Sequence, residues 1–236
     1  MKKFIVLILV LFFSSCKIEP EITITKVKGS PEYPNAKLSL DKAKDIENHS
    51  YEFSFNVRDY KLGMQTLKDF DYQLANSAKG QHIHFIVNNG PYSAHYEDSF
   101  TKNIKKGNNI VLAFLSRSYH ESVKNPNAFV LTQIGDNNID LNNEFLFYSR
   151  PKGTYKGADT QKLLLDFYLI NTEISANGNK VKATIQDSEF IIDEWAPYYI
   201  EGLPKGEIKI KLELIDSSGS LIDTPFNPSE RTVILE

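Results

Sequence analysis

Cysteine occurs once in this 236-residue chain, tryptophan once and methionine twice, and the longest unbroken apolar run is the ten residues from Phe4 to Phe13. Each scarcity excludes something. A single cysteine cannot form an internal disulfide, so the fold must be held by its core alone. Ten apolar residues are half of the roughly 20 that a membrane-spanning helix needs. There is no excess of positive charge: the formal charge is −3, and it falls to −5 without Lys2 and Lys3 (−3 minus 2). No basic field is present to attract nucleic acid. The chain also lacks a Gly-x-Ser-x-Gly nucleophile turn, and no glycine-rich loop ends in Gly-Lys-Ser/Thr. Without an activated serine or a nucleotide cradle, the sequence is not expected to be an enzyme.

The amino terminus reads MKKFIVLILVLFFSSC: two lysines, the apolar run, two small residues and the lone Cys16. This is the pattern of a secretory signal peptide over residues 1–15. Cys16 at its end resembles the lipidation site of bacterial lipoproteins, although Phe13 stands where leucine is more usual. Residues 16–36 then read as a lipid-anchored tether, with three prolines and mixed charge around one short extended run. Membrane contact through lipid on Cys16 and a place in the cell envelope, at the outer membrane, are the expectation.

The remaining chain is an internal repeat. NIKKGNNIVLAFLS (103–116) matches GLPKGEIKIKLELI (202–215) at an offset of 99, and IHFIVNNGPY (83–92) matches VKATIQDSEF (181–190) at 98. A period this long means two tandem domains, not a solenoid. EIKIKLEL alternates Ile208, Ile210, Leu212 and Leu214 with Lys209, Lys211 and Glu213, the signature of an antiparallel strand with one wet face. Short strands and close-spaced turns such as Asn177-Gly178 and Ser218-Gly219 predict an all-β fold: two tandem immunoglobulin-like antiparallel β-sandwich domains at 37–140 and 161–236, joined by a linker at 141–160. The one helix expected is short, over 66–75, where Leu67, Phe70 and Leu74 share a face.

Chemistry-bearing residues gather in the first copy. If Ile83, Phe85 and Val87 take the inward places of Val181, Ala183 and Ile185, then His82 and His84 point outward; a one-residue slip elsewhere would invert them. In NIVLAFLS the inward set is Val111, Ala113 and Leu115, which leaves apolar Ile110, Leu112 and Phe114 where the second copy has Lys209, Lys211 and Glu213. Something must cover that face: the partner domain, the inserted segment 59–79, or an external ligand. Arg117, Tyr119, His120 and Glu121 stand where the second copy has a plain turn. His82 and His84 at spacing two, with His120 or His95 as third donor, have the makings of a zinc or copper site. A cupin is disfavoured because Asn88 occupies the position of its glutamate. Arg117, together with Arg150 and Lys152 of SRPKGTYKG, suits an anion.

Five stretches, SPEYPNAKL, NSAKGQHIHFIVNNGPYSAHYE, FLSRSYHESVKNPNAFVL, FYSRPKGTYKG and WAPYYIEGLPKGEIKIKLELID, together resemble a family of Gram-negative envelope lipoproteins labelled phosphopeptide-binding. The resemblance spans nearly the whole mature chain and implies a binding role without named catalytic residues. The sequence therefore leads to a lipid-anchored envelope protein whose first sandwich binds a ligand at His82, His84, Arg117, Tyr119, His120, Arg150 and Lys152, under the 59–79 insertion. The ligand class stays open between an anionic or phosphorylated peptide and zinc or copper held by His82, His84 and His120. A third alternative is an assembly protein that docks a partner on Ile110, Leu112 and Phe114.

Overall fold

A computed structural model describes residues 21–67, 74–135 and 139–236. Three sequence expectations, the signal peptide, the lipidated Cys16 and most of the 66–75 helix, lie outside those residues. Among the described residues there is no α-helix, and no helix is long and apolar enough to cross a membrane.

The first sandwich packs a sheet of β2 (Lys37–Asp45), β3 (Ser50–Arg58) and β6 (Ser99–Asn103), in the order β2-β3-β6, against a second sheet. That second sheet runs β5 (Ser93–His95), β4 (His82–Val87), β7 (Asn109–Ser116) and β8 (Phe129–Ile134). The other sandwich repeats this arrangement. β9 (Phe145–Arg150), β11 (Leu163–Ile170) and β14 (Tyr198–Glu201) form one sheet, to which β1 (Thr23–Lys26) adds an edge. β13 (Ser188–Ile192), β12 (Lys180–Ile185), β15 (Gly206–Ile215) and β16 (Ser229–Leu235) form the other, with β10 (Thr154–Tyr155) pairing along β16. Largely antiparallel sheets facing one another, three strands on four in the first domain and four on five in the second, are tandem immunoglobulin-like β-sandwiches.

Two segments do more than expected. Residues 16–36, read as a tether, contribute β1, which pairs with β14 from Thr23↔Glu201 to Lys26↔Tyr198. The chain then straps the first sandwich, because the Asn125 side-chain amide donates to the carbonyls of Tyr33, Pro34 and Ala36. A β-carbon at Gly202 would lie 2.1 Å from the Glu21 carbonyl oxygen, so the tight entry to β1 requires a residue without one. Residues 141–160, read as a linker, contain β9, which pairs with β11 through Ile170↔Phe145 and Asp166↔Arg150. The alternation Phe145, Leu146, Phe147, Tyr148 is apolar throughout because β9 is buried on both faces, a pattern that periodicity alone does not identify.

Register settles the orientation of the histidines. His82↔Ser116 in the first domain corresponds to Lys180↔Ile215 in the second, shifts of 98 and 99 for the two strands. The one-residue slip therefore lies between β4 and β7, and the inward sets are preserved. Ile83, Phe85, Val111, Ala113 and Leu115 join the first core, whereas Val181, Ala183, Ile185 and the alternating residues of β15 join the second. His82 and His84 stand on the outer face, and so do Ile110, Leu112 and Phe114.

That outer face is covered by the second domain. Ile86, Tyr92, Ile110, Leu112 and Phe114 form one buried cluster with Phe145 and Phe147 of β9 and Tyr168 and Ile170 of β11. The apolar face is thus an intramolecular interface and is closed to an external partner, which removes the surface on which the assembly reading rested. Polar clamps flank it. Asp166 accepts from the Ser122 amide (3.1 Å) and hydroxyl (3.0 Å) and pairs with Lys124. Asn89 accepts from the Tyr148 amide (2.8 Å), and Arg231 donates to the carbonyls of Asn89 and Gly90.

A seam this apolar couples the two halves. Leu112→Ala should cost about 2–5 kcal/mol, the range for truncating a fully buried leucine. Denaturant unfolding of the parent should show one cooperative transition by both fluorescence and circular dichroism. Two separated transitions in the parent would show that the seam does not bind the domains together.

Candidate metal centre

The site sits where the outer face of β4 meets the turn after β7. His82 and His84, two residues apart on a strand, project to the same side. His82 Nδ1 lies 2.8 Å from the Gly80 carbonyl oxygen, which can only accept, so Nδ1 carries the proton and Nε2 holds the lone pair. Gly80 has φ +85°, and a β-carbon there would fall 2.4 Å from the Met64 carbonyl oxygen. The base of the 59–79 insertion is thereby pressed against the strand that carries the histidines.

His120 arrives from a strained turn. In both domains the strand runs into the same hairpin: Arg117 N–H donates to Glu121 O as Asp216 N–H donates to Ser220 O, and His120 N–H to Arg117 O as Gly219 N–H to Asp216 O. His120 therefore occupies the position of Gly219, and both are left-handed, at φ +69° and +87°. Glycine adopts that conformation freely, but a histidine there costs about 1 kcal/mol or more. The described parts of the insertion brace the turn, since the Ser118 amide donates to Thr66 Oγ1 (2.9 Å) and the Ser77 amide to the Ser118 carbonyl (2.8 Å).

Three ring nitrogens converge. His84 Nε2 is 2.9 Å from His82 Nε2, His120 Nδ1 is 3.1 Å from the same atom, and each of the three rings offers a ligand atom within 4.8 Å of the other two. One lone pair thus faces two other ring nitrogens. A tetrahedral zinc site with bonds of 2.0–2.1 Å would space its nitrogens about 3.3 Å apart, close to the distances from His82 Nε2 to its two neighbours. A cation at the centre would satisfy all three at once. The outer partners suit ligation as well: Gly80 O holds His82 Nδ1–H, and Ser149 Oγ, 3.2 Å from His84 Nδ1, can accept its proton.

Burial keeps the imidazoles neutral. It lowers His82 to about 4, with Arg150 and Lys152 pushing further and the Gly80 carbonyl opposing. It lowers His120 to about 2, aided by Arg150, and His84 well below the usual histidine range. Neutral imidazoles are the ligand form at physiological pH.

The seven residues expected at the site divide. His82, His84, His120, Arg150 and Lys152 do come together, the last two supplied by the second domain at the end of β9. Arg117 and Tyr119 do not join them. The Arg117 guanidinium is buried, donates to the Pro31 and Ser122 carbonyls and pairs with Glu121 at 2.8 Å. Tyr119 packs with Val27, Leu74 and Leu164. Alternation along the turn sends residues 117 and 119 away from the side taken by 120, and the β1 strap supplies their surroundings. His95 is excluded as third donor because it pairs with Ile83, not His84, and stacks on Phe100 at 3.4 Å.

Sequence reasoning missed Tyr92 and Ser149. Tyr92 stacks on His84 (3.6 Å between ring centres, 13° between planes), and its hydroxyl lies 3.1 Å from His120 Nδ1. Ser149 acquires its role only when the domains dock, and Tyr92 reaches His84 and His120 through the fold of the first domain, so no local pattern marks either. The glycine counterpart of His120 was the readable signal, available from the repeat alignment itself.

Replacing His120 by glycine should therefore leave the metal-free protein at least as stable as the parent, by up to about 1 kcal/mol. Urea unfolding in the presence of chelator measures this. A loss of more than 1 kcal/mol would contradict the turn assignment.

No family model and no curated protein matches the chain. Among solved structures, the fibronectin(III)-like modules of Clostridium thermocellum CbhA share 11% identity over 84% of this chain and 94% of theirs, with a TM-score of 0.31. The central fibronectin-III array of RIM-binding protein shares 10% identity over 88% of this chain and 71% of its own, with a TM-score of 0.29.

Proposed function

We propose that this chain is a lipid-anchored envelope protein that binds a transition metal, zinc or copper, through His82 Nε2, His84 Nε2 and His120 Nδ1. The convergence of these three nitrogens carries the reading, at 2.9 and 3.1 Å from one another through His82. It outweighs recognition of an anionic or phosphorylated peptide because His82 and His84 are wholly buried and the Arg117 guanidinium is occupied by backbone carbonyls and Glu121. A peptide approaching from solvent would meet none of the three. The anchor is consistent with β1: Thr23 lies seven positions after Cys16 (23 minus 16), a reach of at most about 25 Å. A lipid on Cys16 would hold the second sandwich near the bilayer.

Metal analysis of the purified chain tests the reading, with the His82→Ala, His84→Ala double variant beside it. Near-stoichiometric zinc or copper is expected in the parent and little in the variant. Added metal at 100 times its dissociation constant should stabilise the parent by about 2.7 kcal/mol and leave the variant unchanged. A parent that is isolated empty and takes up neither ion would remove the proposal.

A further inference from the structure

Charge around the three histidines is unbalanced. Arg150 is buried, and its Nε has no hydrogen-bond partner among the described residues. No carboxylate pairs with Arg150 or Lys152 among those residues. Both cations converge on one group, Tyr92. Arg150 Nη1 donates to the Tyr92 hydroxyl at 3.1 Å, and Lys152 Nζ donates to the Tyr92 carbonyl at 2.6 Å and stands 3.7 Å from the centre of its ring. Adding a divalent ion to three neutral imidazoles beside two cations would concentrate positive charge in a dry seam, which is costly unless an anion forms there.

Tyr92 is placed to be that anion. The turn that carries it, Asn88 to Pro91, is fixed to the second domain through Asn89 and Arg231. This aims the phenol along the His84 ring and sets its oxygen 3.1 Å from His120 Nδ1, the same spacing as between His120 Nδ1 and His82 Nε2. A fourth donor of a tetrahedral ion needs such a spacing from each of the other three, and the phenol oxygen already has it from His120.

We infer that Tyr92 is the fourth ligand of the metal, bound as phenolate, so that the centre is three imidazoles and one tyrosinate facing Arg150. The inference rests on the metal reading above. On binding, the phenol gives its proton to solvent and its oxygen forms the bond to the ion, with no change in oxidation state. Arg150 then pairs with the ligand oxygen and plays the part of a positioning residue. A hard phenolate oxygen added to imidazoles favours copper(II) or zinc over copper(I).

Copper(II) added to the full chain is the probe, read by visible absorption and by resonance Raman excited in the new band. The expected result is one copper per chain, a phenolate-to-copper charge-transfer band and tyrosinate ring vibrations. Tyr92→Phe should keep copper, with affinity reduced at least tenfold, and lose both signals. Copper bound by the parent without the band or the vibrations would overturn the tyrosinate and leave the three-histidine site standing. No copper bound by the parent would overturn both. Because the Raman spectrum of the parent reports the ligand directly, the outcome is decided even if Tyr92→Phe fails to fold. Arg150→Met should retain the band with its energy shifted, whereas an unshifted band would place Arg150 outside the centre.

Discussion

The molecule depends on the burial of one sheet face that its own domain cannot cover. Ile110, Leu112 and Phe114 point away from the first core, and the aromatic pair Phe145 and Phe147, with Tyr168 and Ile170, closes over them. At about 25 cal/mol per square ångström of apolar surface removed from water, three large side chains supply several kcal/mol, enough to hold two small domains in a fixed relation. The equivalent face of β15 shows the alternative outcome of the same strand design. There Lys211 and Lys182 meet Glu213 at 3.0 and 3.1 Å in a partly solvated network that contributes little. One repeat thus has a wet outer sheet and the other a dry one, and only the dry one lowers the dielectric around polar neighbours.

That dryness is what gives the histidines their character. On an exposed sheet His82 and His84 would titrate near neutrality and would exchange solvent freely. Buried at the edge of the seam, they are held neutral, their rings are fixed by Gly80 and Ser149, and their free nitrogens face one another. Asp166 helps by fixing the turn that follows. Its carboxylate takes the amide and hydroxyl of Ser122, two residues after His120, and pairs with Lys124. Breaking a buried pair of this kind costs about 3–5 kcal/mol, so the turn cannot drift without a large penalty.

Much of the fold was legible because the chain repeats. The offsets of 98 and 99 made the outward placement of His82 and His84 depend on where the one-residue slip fell, and the strand register places it between β4 and β7. The cover over Ile110, Leu112 and Phe114 was legible as a need, though its identity was not. Phe145 to Arg150 lacks alternation because both its faces are buried, so it read as linker. Thr23 to Lys26 was legible as a short extended run, but nothing local to it named β14 as its partner. Arg117 and Tyr119 were grouped with His120 by nearness in sequence, yet a hairpin turn sends adjacent residues in different directions. His120 itself stood opposite Gly219, where an unfavourable left-handed histidine is physically informative: backbone strain retained at a position where glycine would serve points to a task for the side chain.

The division of labour across the seam adds a constraint on any ion bound there. All three imidazoles belong to the first sandwich, but Ser149, which orients His84, and Arg150, which contacts Tyr92, arrive on β9 of the second. A separated first domain would keep the three nitrogens on β4 and its turn while losing their fixed orientation and their dry surroundings. Ion binding and domain docking would therefore be linked, each favouring the other by the same free energy, because the competent arrangement exists only in the docked state. The apolar cluster sets the upper bound on that exchange. A seam already closed by Leu112 and Phe114 leaves the ion little docking to induce, so most of its binding energy remains as affinity.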